Sequence, residues 1–177
     1  MRIVESGPDA FALRLPEILR LYAAEYRLAP EAARERAAIM RRHLGRRRFK
    51  ALFALEGNDL LGFAYGYAGG PGEYWYDLVH RAMPPPMRAE WMGEHFEFVE
   101  LLVAPAARGQ GIGSALHDRL LAGRPEPVAL LTVRANNAPA LALYRARGWR
   151  VLLEDFRFAL GGERFFVMGK RLADARS

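Results

Sequence analysis

The sequence predicts an α/β fold, with a mixed, mostly antiparallel sheet and helices on both of its faces. Two observations lead to this prediction. Short apolar segments bounded by turn residues alternate with segments of helical periodicity, and their order is β-α-α-β-β-(insert)-β-α-β-α-β-β. The chain has 177 residues, about half of them hydrophobic, so we expect one domain spanning 1–177 with a proper core.

The first half of the chain is expected to supply three strands and two helices. Pro16 falls in the first turn of one predicted helix, and Gly45 ends the other as a C-terminal glycine. The predicted elements are a strand at 2–5, a helix from about Leu15, a helix from Pro30 to Gly45, and strands at 49–56 and 60–68 joined by a turn at 57–59.

An insert at about 69–95 follows these strands and interrupts the pattern. It is too long for an ordinary connection and too aromatic for a disordered linker. A short helix from about Tyr74 to Met83 is expected inside it. Beyond the insert, the predicted elements are a strand at 96–103, a helix at 111–122, a strand at 128–133, a helix at 138–147, and strands at 150–160 and 164–171.

Composition limits the classes of partner. The net charge is +6, and most of the cations are arginines, the densest run being Arg41–Arg48. That run suits the C-terminus of a helix, and we expect no nucleic acid as a partner, although a basic chain can attract one. No apolar stretch is long enough to span a membrane, and no apolar signal core is present, so a cytoplasmic protein without a membrane partner is expected. Cysteine is absent, which excludes thiol nucleophiles in this chain.

The run Arg108-Gly-Gln-Gly-Ile-Gly-Ser114 indicates an anion site. Three glycines lie between an apolar strand and an amphipathic helix, where backbone N–H groups and the positive end of the helix dipole can hold a diphosphate. No lysine follows as in a P-loop, and Ser114 stands where a dinucleotide fingerprint has its last glycine.

A second motif spans Asn136 to Trp149. Asparagine caps a helix there, Pro139 occupies its first turn, and Gly148 ends it. The two motifs resemble the [Q/R]-x-x-G-x-[G/A] loop and the N-x-x-A-x-x-L-Y-x-x-x-G-[FW] segment of the GNAT N-acetyltransferases. The resemblance covers 96–153 closely and the remainder by the order of elements.

The resemblance implies the GNAT fold and an enzyme that uses acetyl-CoA to acetylate a primary amine of a small molecule or a protein, without a metal. It assigns the pantetheine to the backbone of the strand before the turn, the diphosphate to the turn, and a further cofactor contact to an asparagine. The residues so implied are Leu102, Val103, Arg108, Gly109, Gln110, Gly111, Ile112, Gly113, Ser114 and Asn137.

The resemblance also implies catalytic residues. Tyr144 stands where similar proteins place a phenol that protonates the departing thiolate, although a tyrosine that packs on the sheet is the alternative. Glu100 or Glu97 would deprotonate the amine. They are three residues apart and face opposite sides of a regular strand; we prefer Glu100, and a bulge in the strand would reverse the choice. His95 precedes the predicted strand, and His117 is expected at the surface.

The insert suggests an acceptor wall. Tyr74, Trp75 and Tyr76, with Trp91, could line the amine site, and Glu73 and Asp77 could attract a cationic amine. A satellite hydrophobic cluster or a dimer contact explains the same residues equally well, and a homodimer stays open. The alternative function is a catalytically silent module that binds acyl-CoA as a sensor or partner subunit.

Overall fold

The computed structural model describes residues 1–172. Seven strands and six α-helices lie within these residues, and the strands follow the order β1-β2-β3-β4-β5-β7-β6. β4 and β5 pair in parallel, whereas β1–β2, β2–β3, β5–β7 and β6–β7 pair antiparallel, which confirms the predicted fold class. The elements are β1 Arg2–Ser6, α1 Pro8–Tyr26, α2 Pro30–His43, β2 Lys50–Glu56, β3 Asp59–Ala68, α3 Tyr74–Ala82, α4 Pro85–Trp91, β4 His95–Val103, α5 Ile112–Leu121, β5 Val128–Arg134, α6 Ala138–Ala146, β6 Arg150–Phe156 and β7 Phe165–Arg171.

The chain forms two compact units, each assembled from two separate stretches. The first unit comprises 1–67 and 99–122, and the second comprises 68–98 and 123–172 of the described residues. β4 crosses the boundary, so its first four residues belong to the second unit and its last five to the first. The single domain over 1–177 stays a prediction.

The core of the first unit lies beneath α1. Phe11, Leu15 and Ile18 recur on one face of this helix and are buried against β2 and β3, where Phe53 and Tyr65 are among their neighbours. The helix starts at Pro8, seven residues before the predicted Leu15, because a proline suits the first helical position and Asp9 follows in the first turn.

Two predictions about helix termini in this unit are wrong. Pro16 lies inside α1 rather than in its first turn, and the long buried face keeps the helix continuous across it. α2 ends at His43, and its C-cap residue is Leu44 in the right-handed region, so Gly45 is not a left-handed cap. The backbone turns left-handed only at Arg48, with φ +54°.

The core of the second unit lies between the insert and β5–β7. The insert folds into two helices rather than one, and Tyr76 and Trp91 are buried with Leu130 and Val167. Gly169 of β7 makes this packing possible, because a Cβ there would lie 2.6 Å from Cζ3 of Trp91. Tyr76 and Trp91 of the insert therefore form part of this unit's core.

Candidate active site

The glycine turn lies in the first unit and opens α5. Gly109 and Gly111 both have φ +76°, a left-handed conformation that side chains disfavour. A Cβ at either position would meet nothing within 4 Å, so the torsion angle, rather than a neighbouring atom, requires glycine. Gly111 is the N-cap of α5, and no side chain caps the helix there, so its first N–H groups are available to an anion.

The end of β4 leads into this turn. Leu102 is buried, Val103 is half-buried, and the N–H of Ala104 donates to the carbonyl of Leu61 at 2.8 Å. Gly62 permits close contact, because a Cβ there would lie 2.8 Å from the carbonyl oxygen of Leu102. The strand end is thus tightly packed on β3.

Arg108 begins the turn, and its guanidinium contacts two other elements of the first unit. Nε donates to the carbonyl of Val103 at 3.2 Å, and Nη2 lies 2.5 Å from Oε2 of Glu25. This cation is therefore already engaged by the protein's own acceptors. Its contribution to diphosphate binding stays a prediction.

The second motif folds as expected in the second unit. Asn137 is the N-cap of α6, and its Oδ1 accepts from the N–H of Ala140 at 3.2 Å. Gly148 follows the helix with φ +77°, where glycine is favoured. Both helix boundary signals in the sequence are confirmed, and the contact of Asn137 with a cofactor stays a prediction.

Tyr144 is buried on the inner face of α6. Its ring lies edge-on to Phe98, with centroids 6.1 Å apart, and edge-on to Trp149 at 5.7 Å. These contacts fix the plane of the phenol. Such a side chain suits a positioned proton donor, and it also packs as an ordinary core tyrosine would.

The two glutamates lie in different units. Glu97 is buried at 4% exposure, and the β4–β5 register pairs it with Leu130, so it shares the sheet face covered by the insert with His95. Glu100 is half-buried in the first unit.

Val99 and Leu102 of β4 flank Glu100 and both pack against the core cluster of the first unit. The choice between Glu97 and Glu100 stays a prediction.

His95 is a buried polar residue whose setting the sequence did not reveal. It is the first residue of β4, and its Nδ1 lies 2.8 Å from the carbonyl of Gly93. A carbonyl only accepts, so Nδ1 carries the proton of the neutral ring and Nε2 carries a lone pair. Burial lowers the pKa of His95, although the Gly93 carbonyl and Glu126 oppose that shift.

The ring of His95 stacks on Tyr76 at 5.7 Å and lies 6.4 Å from Trp75. The sequence predicts a strand that begins at residue 96 and leaves His95 just outside it. The alternation of inward and outward side chains along the strand was therefore not extended to His95.

The insert places its three consecutive aromatic residues in different surroundings. Tyr74 is 70% exposed, and Tyr76 is buried, with its hydroxyl donating to the carbonyl of Met92 at 3.2 Å. Trp75 is half-buried, and its Nε1 donates to Oγ1 of Thr132 on β5 at 3.3 Å. Among the three, Tyr74 and Trp75 retain surface with which to contact an acceptor.

The prediction for His117 is wrong. This residue is 2% exposed rather than at the surface, because α5 turns it toward the core, and its Nδ1 lies 2.7 Å from Oδ1 of Asp118. The apolar periodicity of the helix already includes position 117, between Leu116 and Leu120, and could have shown that it faces inward.

An acyl-CoA-dependent transferase is the class of protein that this fold and glycine turn indicate, and comparison with known proteins identifies the family. A model of the acetyltransferase (GNAT) family matches residues 15–149. A GCN5-like protein acetyltransferase of Mycobacterium tuberculosis is 30% identical, over 96% of this chain and 97% of that protein. The chain belongs to the GNAT family of N-acetyltransferases.

Solved structures of low sequence identity share the fold. A GNAT-family acetyltransferase of Desulfovibrio desulfuricans superposes with a TM-score of 0.68 at 16% identity, over 97% of this chain and 99% of that one. The ribosomal-protein-S18-alanine N-acetyltransferase of Escherichia coli gives 0.63 at 19% identity, over 97% and 95%. An N-acetyltransferase of Thermoplasma acidophilum, solved with coenzyme A, gives 0.60 at 15% identity, over 97% and 99%.

Membership in the family confirms the predicted enzyme class, and acetyl-CoA is the co-substrate of the family. Within residues 1–172, no helix has both the length and the apolar character needed to cross a membrane.

Proposed function

We propose that this protein transfers an acetyl group from acetyl-CoA directly to a primary amine carried by another protein. Acetyl-CoA supplies the thioester carbon, to which the amine nitrogen bonds as the carbon–sulfur bond breaks. Direct transfer is favoured because this chain has no cysteine to hold the acetyl group.

One observation carries the proposal. No side chain caps the N-terminus of α5, and two glycines in the left-handed conformation lead into this helix. Amides of Gly109 to Ser114 would hold the diphosphate, and open space around the glycines leaves room for its close approach. The backbone of Leu102 and Val103 would pair with the amides of the pantetheine arm as an added strand would.

Tyr144 would give its proton to the departing thiolate. Contact with Phe98 and Trp149 holds the ring, and burial reduces competition from water. Glu97 would accept the proton of the amine, directly or through water. The deeper burial of Glu97, on the sheet face covered by the insert, favours it over half-buried Glu100.

A protein acceptor is supported by the relative from Mycobacterium tuberculosis, which is named a protein acetyltransferase and aligns over nearly the whole of both chains. Exposed Tyr74 and half-buried Trp75 would contact the segment that bears the amine. Tyr76 would support them from within the core.

Thiol release tests the proposal. The protein is incubated with acetyl-CoA and, in separate arms, peptides with a free N-terminus, peptides with an internal lysine, and the small amines spermidine and an aminoglycoside. Turnover with a peptide, together with a 42 Da mass increase on it, is expected. Turnover with small amines alone would remove the protein acceptor, and CoA binding without any turnover would favour the silent acyl-CoA module.

A further inference from the structure

The last turn of α1 carries a charge that helix electrostatics disfavours. Glu25 precedes the final residue of the helix, where the dipole favours cations, and α1 has no basic residue in its last turn. The C-cap residue Arg27 is a cation, but the cation that contacts the carboxylate of Glu25 is Arg108, 83 positions away in the sequence. A local rule broken in this way and restored from the glycine turn suggests a role for the pair beyond the stability of α1.

The pair also holds the end of β4. Arg108 uses one side of its guanidinium for Glu25 and its Nε for the carbonyl of Val103. A fork of this kind orients a planar cation better than a single contact does, and hydrogen bonds between two ionised groups are stronger than those between neutral groups. The position of Arg108 therefore depends on the carboxylate of Glu25.

We propose that Glu25 is a positioning residue for coenzyme A, acting through Arg108. By holding Arg108 on the Val103 carbonyl, Glu25 keeps the end of β4 and the start of the glycine turn in the arrangement that the ligand needs. This inference rests on the proposed function, because it assigns coenzyme A to that turn.

A second ion pair on the same helix provides a matched control. Arg14 and Glu17 lie 2.7 Å apart on α1, with side chains 21% and 35% exposed, compared with 49% for Arg108 and 27% for Glu25. The Arg14–Glu17 pair does not include a residue of the turn. Glu25→Gln and Glu17→Gln make the same chemical change at carboxylates of similar exposure.

The experiment is calorimetric titration of the full chain with coenzyme A. We expect Glu25→Gln to weaken coenzyme A binding about three- to ten-fold, and Glu17→Gln to change it less than two-fold. In an Arg108→Gln background, Glu25→Gln should add no further loss, because its effect passes through Arg108. Melting temperatures of all variants report whether they fold. If Glu25→Gln does not fold, Glu25→Asp replaces it, because the shorter side chain withdraws the carboxylate by one methylene.

Three results overturn the inference: equal affinities of Glu25→Gln and Glu17→Gln, additive losses with Arg108→Gln, or tighter binding by Glu25→Gln. The last would mean that Glu25 competes with the diphosphate for Arg108. Failure of the unmodified protein to bind coenzyme A would instead refute the proposed function, so the two failures are distinguishable.

Discussion

The two units place their polar groups differently. In the first unit, the candidate ligand site consists of main-chain N–H groups at an open turn, and ion pairs such as Arg14–Glu17 are partly exposed. In the second unit, the candidate proton-transfer groups are side chains that lie in the interior, although the first unit also buries one polar side chain, His117. His95 and Glu97 are buried, and Arg124 donates two hydrogen bonds, at 2.7 and 2.9 Å, to the buried carboxylate of Glu126.

This difference separates two tasks of a group-transfer enzyme. Main-chain amides have fixed geometry and no titration near neutral pH, so they can hold an anion while exposed to water. Side chains that exchange protons act more effectively where water is excluded and rings fix their orientation. Substitutions at the glycine turn of the first unit should therefore alter ligand affinity, and those among the buried groups of the second unit should alter turnover or stability.

The largest expected effect is on turnover in the second unit. Tyr144→Phe removes the proton donor and keeps the ring contacts with Phe98 and Trp149. We expect kcat to fall about 10²- to 10⁴-fold while the Kd for coenzyme A changes less than two-fold, measured by thiol release and calorimetry.

Tyr65→Phe makes the same chemical change in the first unit, where the hydroxyl bonds to Nδ1 of His43 at 3.0 Å. It should lower stability without affecting kcat. Equal kcat values for Tyr144→Phe and the unmodified enzyme would reduce Tyr144 to a packing residue.

Gly69→Ala should cost the second unit stability. The added Cβ would lie 2.4 Å from Nε2 of buried His95, and the N–H of Gly69 donates to the carbonyl of His95 at 3.2 Å, which limits relaxation. We expect a loss of about 2–3 kcal/mol in the free energy of unfolding, measured with urea. Gly70→Ala, where a Cβ meets nothing within 4 Å, is the control; a similar loss in both variants would contradict the account.

Gly111→Ala should weaken ligand binding in the first unit. A side chain at φ +76° costs about 1–2 kcal/mol and would disturb the amides at the head of α5, so coenzyme A should bind about ten-fold more weakly. Gly57→Ala carries similar strain at φ +56° in the β2–β3 turn and also meets open space. Gly57→Ala should lower stability without changing the affinity for coenzyme A. An equal loss of affinity in Gly57→Ala and Gly111→Ala would contradict the assignment of coenzyme A to the glycine turn.

The last expected effect is a fall in stability below pH 6.5, to which each unit contributes one histidine. Burial, reinforced by Arg46, Arg36 and Arg42, lowers the pKa of His43 to about 4, and burial lowers that of His95. Between pH 6.5 and these lowered values, the unfolded chain binds protons that the folded chain does not, so the free energy of unfolding falls as the pH falls.

The slope is at most about 1.4 kcal/mol per pH unit for each histidine, and neither contributes above pH 6.5. Urea unfolding at pH 7.5, 6.5 and 5.5 measures it. His43→Gln should reduce the slope through the first unit alone, and an unchanged or inverted slope would contradict the assigned pKa directions.

The features predicted well from the sequence depend on neighbours in the chain. The glycine turn before α5, the Asn137 cap and the Gly148 stop each follow from local torsion angles and hydrogen bonds, and all were located within a residue or two. The order of strands and helices along the chain followed from the alternation of short apolar segments with segments of helical periodicity.

The failures depend on tertiary contacts. Burial of the α1 face keeps Pro16 inside the helix, and core packing turns His117 inward. The pair formed by Glu25 and Arg108 joins positions 83 apart, a separation at which no local rule operates.

The fit of Trp91 over Gly169 makes the insert inseparable from the protein that contains it. Deletion of residues 69–94, to obtain a smaller enzyme, would expose Leu130 and Val167 to solvent and leave an apolar surface patch. Such a truncated chain should aggregate on expression, so a smaller version of this enzyme would need redesigned β5 and β7 surfaces.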